Sequence, residues 1–390
     1  MSAEIITLGC RLNLSESERM RAMLAGEDDL VVVNSCAVTS EAVRQTRQAI
    51  RRARRARPDA RLLVTGCAAD IEREQLSAMP EVDGLIANTA KLDARAWNAA
   101  EAAPPIPPVH TRAFIAVQNG CDHACTFCVI PQGRGPSRSL TVQQVLREVR
   151  RDAERGAAEV VLTGVDVTSW GHDLPGAPTL GSLVQAVLDE FPQIERLRMS
   201  SLDGIEIDPL LFEIFAHEPR MMPHLHLSLQ HGHNMMLKRM KRRHSRADAV
   251  SLVERLRALR PDIAIGADLI AGFPTEDNVM HADNLAIIAE LQIVHPHIFP
   301  YSPRPGTPAA RMPQLDRQIV KRRAAELRET GKRLRTDWLN SLIGTPLPVL
   351  AENDGTGHAP NFAQVAVPEG TPRGETLTIT PTMLEKGILR

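Results

Sequence analysis

Hydrophobic residues in the first part of the chain form three short aliphatic runs, at residues 4–8, 30–34 and 61–65. Each run is followed by a polar stretch in which apolar residues recur at helical spacing. Strands that alternate with helices in this way are typical of a parallel sheet covered by helices. The pattern therefore predicts an N-terminal parallel α/β domain over residues 1–100.

One cysteine stands directly after each of these predicted strands, namely Cys10, Cys36 and Cys67. The carboxyl ends of the strands in an open parallel sheet face one edge, and ligands bind at that edge. If the three strands are neighbours, the three thiols meet in one crevice. The alternative is that they are small buried hydrophobic side chains.

A second series of strand and helix patterns follows a proline-rich segment. The segment at residues 101–110 contains four prolines and is predicted to be a stiff linker. Strand-like runs then occupy residues 113–117, 159–163, 196–200, 224–229, 262–269 and 292–299. Helix-period stretches occupy residues 142–155, 180–190, 247–259, 281–291 and 315–335. Six repeats are too few for a closed eight-stranded barrel, so residues 111–338 are predicted to form an open (β/α)6 part-barrel.

The last part of the chain changes character. Proline, glycine and threonine become more frequent from about residue 346, and short alternating runs appear at residues 362–367 and 375–379. This pattern predicts a small C-terminal β-barrel over residues 339–390. The expected fold class is therefore α/β with a small β domain at the end.

Composition narrows the possible functions. The formal net charge is −1, which excludes a uniformly basic nucleic-acid coat, and 8 Phe, 3 Trp and 1 Tyr are too few for a stacking platform. We find neither an apolar run long enough for a membrane span nor a signal-peptide pattern, so we expect a cytoplasmic protein with no membrane partner. In a reducing compartment, six cysteines more often bind metal than form disulfides.

A CxxxCxxC loop, formed by Cys121, Cys125 and Cys128, follows the first predicted strand of the part-barrel. Three thiolates in one loop can hold three irons of a [4Fe-4S] cluster and leave the fourth iron open. A zinc site closed by a fourth ligand such as His123 is the alternative from spacing alone.

This loop resembles the signature of radical S-adenosyl-L-methionine (radical-SAM) enzymes, and the whole chain resembles the methylthiotransferases of that superfamily. Segments 9–18, 34–39 and 65–69 are similar to the three N-terminal cysteine motifs of the family. The resemblance implies two [4Fe-4S] clusters. Cys10, Cys36 and Cys67 would bind an auxiliary cluster that donates sulfur, whereas Cys121, Cys125 and Cys128 would bind the catalytic cluster that cleaves S-adenosyl-L-methionine.

Segments 162–171 and 224–230 resemble the threonylcarbamoyladenosine class of this family. The class implies methylthiolation of C2 of N6-threonylcarbamoyladenosine at position 37, in the anticodon loop of tRNA. It also implies an electron donor of flavodoxin or ferredoxin type and a sulfur source. Isopentenyladenosine-37 tRNA or a ribosomal protein remains a possible acceptor, and a non-catalytic zinc-stabilised RNA-binding protein is the alternative of a different class.

Small or polar residues at the predicted strand ends are candidates for contact with S-adenosyl-L-methionine, because ligands of (β/α) barrels bind there. These candidates are Gly164, Ser200, Ser201, Gln230 and Asp268. Ordinary loop or turn residues are the alternative at each position. The strand histidines His224 and His226 lack matched carboxylates in the sequence pattern, so we interpret them as surface or substrate-pocket residues and not as metal ligands.

Arginines dominate residues 44–61, which contain eight of them and one aspartate. On a helix, five of these arginines fall on one face and apolar residues fall on the other. The five are Arg44, Arg47, Arg51, Arg54 and Arg55. Residues 238–246 add six cations and no acid. We therefore predict that the arginine face contacts RNA phosphates, and the C-terminal segment, which resembles a TRAM domain, would add a further RNA contact.

Overall fold

The chain, in a computed structural model, is described over residues 3–98, 111–352 and 355–390. The predicted linker at residues 101–110 lies outside these ranges. Each of the three regions contains its own sheet. None of the described helices combines the length and hydropathy that a membrane span requires.

The N-terminal region is a four-stranded parallel sheet in the order β1-β2-β3-β4. Its strands are β1 (Glu4–Thr7), β2 (Leu30–Ser35), β3 (Arg61–Gly66) and β4 (Gly84–Leu85). Its helices are α1 (Arg11–Met23), α2 (Ser40–Ala56), α3 (Cys67–Ile71) and α4 (Arg73–Ser77). Alternate side chains of β2 enter two separate cores: Val31 and Val33 pack toward α2, while Val32 packs toward Met20 of α1. Helices therefore cover both faces, which explains the continuous aliphatic runs.

The central region contains six parallel strands of three to eight residues and a short hairpin. Its strands are β5 (Arg112–Ala116), β6 (Gln118–Asn119), β7 (Arg138–Ser139), β8 (Glu159–Thr163), β9 (Leu197–Met199), β10 (His224–Gln230), β11 (Ala264–Ala271) and β12 (Ile293–Pro300). Sheets β5-β8-β9 and β10-β11-β12 are joined by parallel bridges from Leu197 to Met221 and from Leu202 to Leu227. The strand order is therefore that of an open (β/α)6 part-barrel.

Helices surround the part-barrel, and the sequence marks where several of them begin. They are α5 (Ile130–Arg134), α6 (Val142–Glu154), α7 (Leu180–Glu190), α8 (Pro209–His217), α9 (Asn234–Arg239), α10 (Arg246–Leu259), α11 (Asn278–Glu290) and α12 (Arg317–Ser341). Helix α6 begins after Thr141, which forms a reciprocal capping box with Gln144. Helix α10 begins after Ser245 with an equivalent box to Asp248.

The C-terminal region is a six-stranded sheet in the order β16-β13-β14-β15-β18-β17. Its strands are β13 (Leu347–Ala351), β14 (Thr356–His358), β15 (Gln364–Ala366), β16 (Thr376–Ile379), β17 (Leu384–Glu385) and β18 (Ile388–Leu389). Val349 and Val365 form its small core together with Leu339 of α12. The predicted α/β fold class with a small C-terminal β domain is confirmed, whereas the exact domain boundaries remain a proposal.

The N-terminal region packs against both edge strands of the open part-barrel. Helix α1 packs on β5. On the other side, the segment after β12 is held by hydrogen bonds from Ser40 N to Ser302 Oγ and from Arg304 to Glu72. The N-terminal region therefore lies over the gap between β5 and β12 and brings its cysteine edge toward the barrel.

Candidate cluster and cofactor site

The three N-terminal cysteines lie along one edge of the sheet, as expected from the adjacency of β1, β2 and β3. Cys10 caps α1, Cys36 follows β2, and Cys67 is the first residue of α3. Gly9 has φ +96°, and a Cβ added there would lie 2.7 Å from Cys36 Cβ. The backbone before Cys10 thus packs directly on Cys36 in a conformation that favours glycine.

Burial makes two of these thiols poor acids unless a cation is bound. The pKa of Cys36 is raised to about 11, chiefly by burial and to a smaller extent by the neighbouring thiols Cys67 and Cys10. Burial also raises the pKa of Cys67, while Arg134 and Lys91 act in the opposite direction. A bound metal deprotonates such thiols outright. Three sulfur donors on one edge therefore fit a cluster that carries cationic iron.

The CxxxCxxC loop is fixed by backbone contacts on both sides. Cys121 N donates to Gly135 O at 3.1 Å, and Thr126 O accepts from Ala309 N at 2.9 Å. Gly120 has φ +76°, and an added Cβ would lie 1.9 Å from Pro136 O, so the turn before Cys121 requires glycine.

Backbone amides point at two sulfurs of this loop. His123 N lies 3.4 Å from Cys121 Sγ, and Ile130 N lies 3.4 Å from Cys128 Sγ. Hydrogen bonds of this kind stabilise negative charge on sulfur and are a means by which proteins tune iron–sulfur clusters. Burial nevertheless raises the pKa of both thiols to about 12, so these cysteines also require a metal to be thiolates at neutral pH.

The basic segment at residues 238–246 folds over the CxxxCxxC loop. Arg242 Nη1 lies 3.6 Å from Cys125 Sγ, while its Nη2 donates to Asp203 at 2.7 Å and to Ser228 O at 2.8 Å. Arg243 pairs with Glu206 at 2.6 Å. These contacts hold two arginines of the segment, Arg242 and Arg243, beside the CxxxCxxC loop.

His123 forms an ion pair in this arrangement. Its Nε2 lies 2.7 Å from Asp166 Oδ2, and the hydrogen bond to Asp166 raises the pKa of His123 to about 10. The ligand atoms of Cys121, His123 and Asp166 do lie within 4.8 Å of one another. Even so, Nε2 of His123 is already paired with Asp166, and the Arg243 guanidinium lies 2.8 Å from the same nitrogen, a positive charge that disfavours a zinc ion there.

A buried polar network joins the two cysteine groups. Arg134 of α5 donates to Glu16 at 2.9 Å, to Asn13 at 2.6 Å and to Asn119 at 2.8 Å. Lys91 Nζ lies 2.5 Å from the other oxygen of Glu16. Two buried cations against one carboxylate leave an excess of positive charge near Cys67.

Asn88 makes a second link between the same regions. Its side-chain amide donates to Gly133 O at 2.6 Å and lies 3.9 Å from Cys67 Sγ. The segment after Cys128 therefore touches the edge that carries Cys67. Sequence reasoning missed Asn88 and the buried charges of Glu16, Lys91 and Arg134, because no local pattern distinguishes these residues from surface residues.

Gly164, at the end of β8, packs on a side chain that the sequence did not indicate. A Cβ at Gly164 would lie 2.9 Å from Gln118 Oε1. That oxygen accepts hydrogen bonds from Val165 N and Asp166 N, at 3.1 and 2.9 Å, while Gln118 Nε2 donates to Gly120 O at 2.8 Å. Gln118 thereby ties the end of β8 to the turn before Cys121.

Ser200 and Ser201 follow β9 directly. Ser200 is buried, and its hydroxyl has no hydrogen-bond partner in the described chain. A buried hydroxyl without a partner is costly, so a polar ligand fits at this strand end. Gln230 ends β10 with φ +69°, a strained backbone for a residue other than glycine. The assignment of these residues to S-adenosyl-L-methionine remains a proposal.

Asp268 lies within β11 and not at its end. Its Oδ1 accepts from His226 Nε2 at 3.0 Å and from His297 Nδ1 at 3.2 Å. The expectation that the strand histidines lack a matched carboxylate is therefore wrong for His226. The reason is that Asp268 and His226 stand on neighbouring strands, and sequence spacing does not reveal that pairing.

The five arginines predicted to contact RNA have different environments. Four pair with carboxylates: Arg44 with Glu41 at 2.5 Å, Arg47 with Glu72 at 3.6 Å, Arg51 with Glu81 at 3.7 Å, and Arg54 with Asp83 at 2.6 Å. Arg54 also donates to three backbone carbonyls, which gives it a structural role. Arg55 is exposed and forms no ion pair within the described ranges.

Comparisons with known proteins agree with this geometry. A model described as the Radical SAM superfamily matches residues 115–285, and one described as uncharacterized protein family UPF0004 matches residues 2–87. The chain is 42% identical to a Rickettsia prowazekii protein named threonylcarbamoyladenosine tRNA methylthiotransferase MtaB, over 99% of the chain and 96% of that relative. The chain belongs to the radical-SAM methylthiotransferase family. As a member of this family it is an enzyme that uses S-adenosyl-L-methionine and [4Fe-4S] clusters.

Further relatives in the radical-SAM methylthiotransferase family carry two different names. A Chlamydia pneumoniae protein named MtaB is 34% identical over 94% of the chain and 91% of its own length. A Chloroflexus aurantiacus protein named tRNA-2-methylthio-N(6)-dimethylallyladenosine synthase is 33% identical over 90% and 81%. Among solved structures, the radical S-adenosylmethionine methyltransferase TsrM from Kitasatospora setae is similar with a TM-score of 0.53 and 15% identity, covering 76% of this chain and 66% of TsrM, which supports the fold alone.

Proposed function

We propose that this enzyme transfers a methylthio group to C2 of N6-threonylcarbamoyladenosine at position 37 of tRNA. The observation that carries the proposal is the meeting of two three-cysteine groups across the buried Arg134–Glu16 pair. Its substrate is supported by full-length similarity to relatives named for threonylcarbamoyladenosine tRNA, of which one is 42% identical.

The target position explains why two such groups are needed. The hydrogen on C2 of adenine is not acidic, and no leaving group occupies that carbon, so general acid–base catalysis cannot activate it. When bound, the two [4Fe-4S] clusters and S-adenosyl-L-methionine supply the radical and sulfur chemistry. Cys121, Cys125 and Cys128 would hold the cluster that cleaves S-adenosyl-L-methionine, and Cys10, Cys36 and Cys67 would hold the auxiliary cluster.

The chain's own residues set the charge around these thiolates. Arg134 and Lys91 place positive charge beside Cys67, where burial otherwise penalises a thiolate. Arg242 places a positive charge 3.6 Å from Cys125 Sγ, and a hydrogen bond to Asp203 holds the guanidinium there. The unsatisfied hydroxyl of Ser200 offers a hydrogen bond to the cofactor at the end of β9. We propose Gly164, Ser201, Gln230 and Asp268 as further contacts of this region.

The tRNA requires a cationic surface and an accessible target base. An anticodon-loop purine can be splayed out of its stack more cheaply than a paired base. We propose that exposed arginines of α2, above all Arg55, contact phosphates and that the C-terminal β domain adds a second contact. We further propose a cytoplasmic enzyme that receives electrons from a flavodoxin- or ferredoxin-type donor and a sulfur atom for each turnover from a separate source.

Reconstitution tests this function directly. The protein, loaded anaerobically with iron and sulfide, is incubated with S-adenosyl-L-methionine, dithionite and tRNA that carries threonylcarbamoyladenosine at position 37. We expect mass spectrometry of the digested tRNA to show the 2-methylthio nucleoside, and the Cys121→Ala variant to give none. Methylthiolation of isopentenyladenosine tRNA in place of this substrate would overturn the proposed specificity.

A further inference from the structure

Arg11 differs from the other buried cations near the part-barrel. It follows Cys10 directly, begins α1 and is half-buried. Within the described part of the chain its guanidinium donates no hydrogen bond and has no carboxylate within 4.0 Å. Its Cζ lies 5.7 Å from the centroid of the Phe362 ring.

The surrounding charges do not supply a partner. Arg112 and Arg198 also stand over the Phe362 ring, at 5.1 and 4.8 Å. Both of them pair with Glu159, Arg112 at 2.9 Å and Arg198 through two hydrogen bonds of 2.8 and 3.1 Å. All three guanidiniums thus lie near the Phe362 ring, and the nearby carboxylates are already engaged, because Glu159 pairs with two of them and Glu352 pairs with Arg112.

Asp268 is the other acid that acts electrostatically on Arg11, and it is engaged as well. Its Oδ1 accepts from two imidazoles, those of His226 and His297. Removing a guanidinium from water without an anionic partner is unfavourable. A further anion that enters beside Arg11 would therefore be stabilised by its guanidinium.

We infer that Arg11 binds the carboxylate of the substrate's N6 substituent and so selects threonylcarbamoyladenosine. This inference rests on the proposed function. The threonyl carboxylate is the one charged group on that base, and C2 must approach the auxiliary cluster, of which the adjacent Cys10 is a proposed ligand. A guanidinium matches a carboxylate with two parallel hydrogen bonds. An isopentenyl group offers no anion to Arg11, which disfavours that substrate.

The alternative is that Arg11 pairs with the auxiliary cluster and not with the substrate carboxylate, since Cys10 and Arg11 are adjacent in sequence. The two roles differ in what they predict. A substrate contact changes the preference between carboxylate and ester and leaves the iron content and the reduction potential unchanged. A countercharge to the cluster shifts its potential and lowers turnover equally for both substrates.

The experiment compares wild type with Arg11→Gln, Arg11→Lys and Arg19→Gln in reconstituted protein. Arg19 is an exposed residue of the same helix and serves as the control. Substrates are tRNA with threonylcarbamoyladenosine at position 37 and the same tRNA with that carboxylate methylated. We expect wild type and Arg19→Gln to prefer the free acid in kcat/KM by about 10- to 100-fold, the range of one charge-assisted contact. Arg11→Gln should bring this ratio to near one, and Arg11→Lys should restore part of it.

Two results would overturn the inference. One is a preference for the free acid that survives in Arg11→Gln. The other is an equal loss on both substrates with a shifted cluster potential. Failure of wild-type protein to thiolate either tRNA would instead contradict the proposed function on which the inference rests.

Discussion

Arg134 and Glu16 are joined by two hydrogen bonds of 2.9 and 3.2 Å, although they are 118 positions apart in the chain. Only 2% of the Arg134 side chain and 3% of the Glu16 side chain are exposed. Glu16 belongs to α1, which follows Cys10, and Arg134 belongs to α5, which follows Cys128. The pair therefore sets the position of one cysteine group relative to the other.

Breaking this pair should weaken the structure. Glu16→Gln leaves Arg134 and Lys91 buried without their anion, and we expect the free energy of unfolding of the apoprotein to fall by about 3 to 5 kcal/mol. Urea unfolding checks this value. Arg150→Gln removes an exposed ion pair with Glu190 and should cost less than about 1 kcal/mol. Equal effects of the two substitutions would contradict the structural role of the Arg134–Glu16 pair.

The two cysteine groups should separate in their effects on the reaction. Cys121→Ala should abolish formation of 5′-deoxyadenosine while the protein keeps about half of its iron. Cys36→Ala should keep 5′-deoxyadenosine formation and lose methylthiolation, because only the auxiliary site is damaged. Iron analysis and chromatography of the reaction products measure both. A Cys36→Ala variant that still thiolates tRNA would exclude the proposed division of roles.

Hydrophobic patterning predicted the buried strands well. Strand β8 has the predicted bounds, residues 159–163, because a buried parallel strand is a continuous aliphatic run between polar ends. The prediction that Cys10, Cys36 and Cys67 share one edge required their three strands to be neighbours, as the sheet order has them. Helix α12 instead continues from the predicted end at residue 335 to Ser341, since Leu339 packs into the core of the C-terminal sheet.

Features that depend on distant partners could not be read from the sequence. The alternating pattern predicts Phe362 in a strand over residues 362–367, yet Phe362 has φ +70° and its ring stacks on His224 of the part-barrel at 5.1 Å. The sequence around the α2 arginines contains few acidic residues, but three of the arginines pair with carboxylates of later segments, namely Glu72, Glu81 and Asp83. No local periodicity encodes such contacts.

Glu159 should make stability depend on pH in the acid range. Burial raises its pKa, but the charges of Arg198 and Arg112 outweigh burial and bring the pKa to about 2. Because the pKa is lowered on folding, this contribution is complete above the unfolded value near 4.5 and is lost as the pH falls toward 2. The shift corresponds to on the order of 3 kcal/mol.

Unfolding of the apoprotein between pH 7 and pH 2.5 tests this expectation. Glu159→Gln should be less stable than wild type at pH 7, because Arg198 stays buried without its anion. The difference between the two proteins should shrink as the pH falls below about 4.5. A difference that stays constant over the whole range would show that Glu159 does not carry the predicted charge coupling.

Neighbouring arginines of α2 should differ in their roles. Arg55→Ala should weaken tRNA binding and reduce the slope of the logarithm of the binding constant against the logarithm of salt concentration by about one. The stability of the protein should not change, because Arg55 is exposed. Arg54→Ala should mainly lower the melting temperature, since it removes the contacts with Asp83 and with three carbonyls. Filter binding over a salt series, together with thermal unfolding, separates the two effects. The reverse pattern would contradict these assignments.

Mass spectrometry of nucleosides from bulk tRNA, compared between a strain that lacks this gene and its parent, tests the central claim most directly. The account predicts loss of 2-methylthio-N6-threonylcarbamoyladenosine and accumulation of the precursor without sulfur. Persistence of that nucleoside, with loss of the isopentenyl analogue, would contradict the substrate assignment. No change in either nucleoside would contradict both tRNA substrates and favour a protein acceptor.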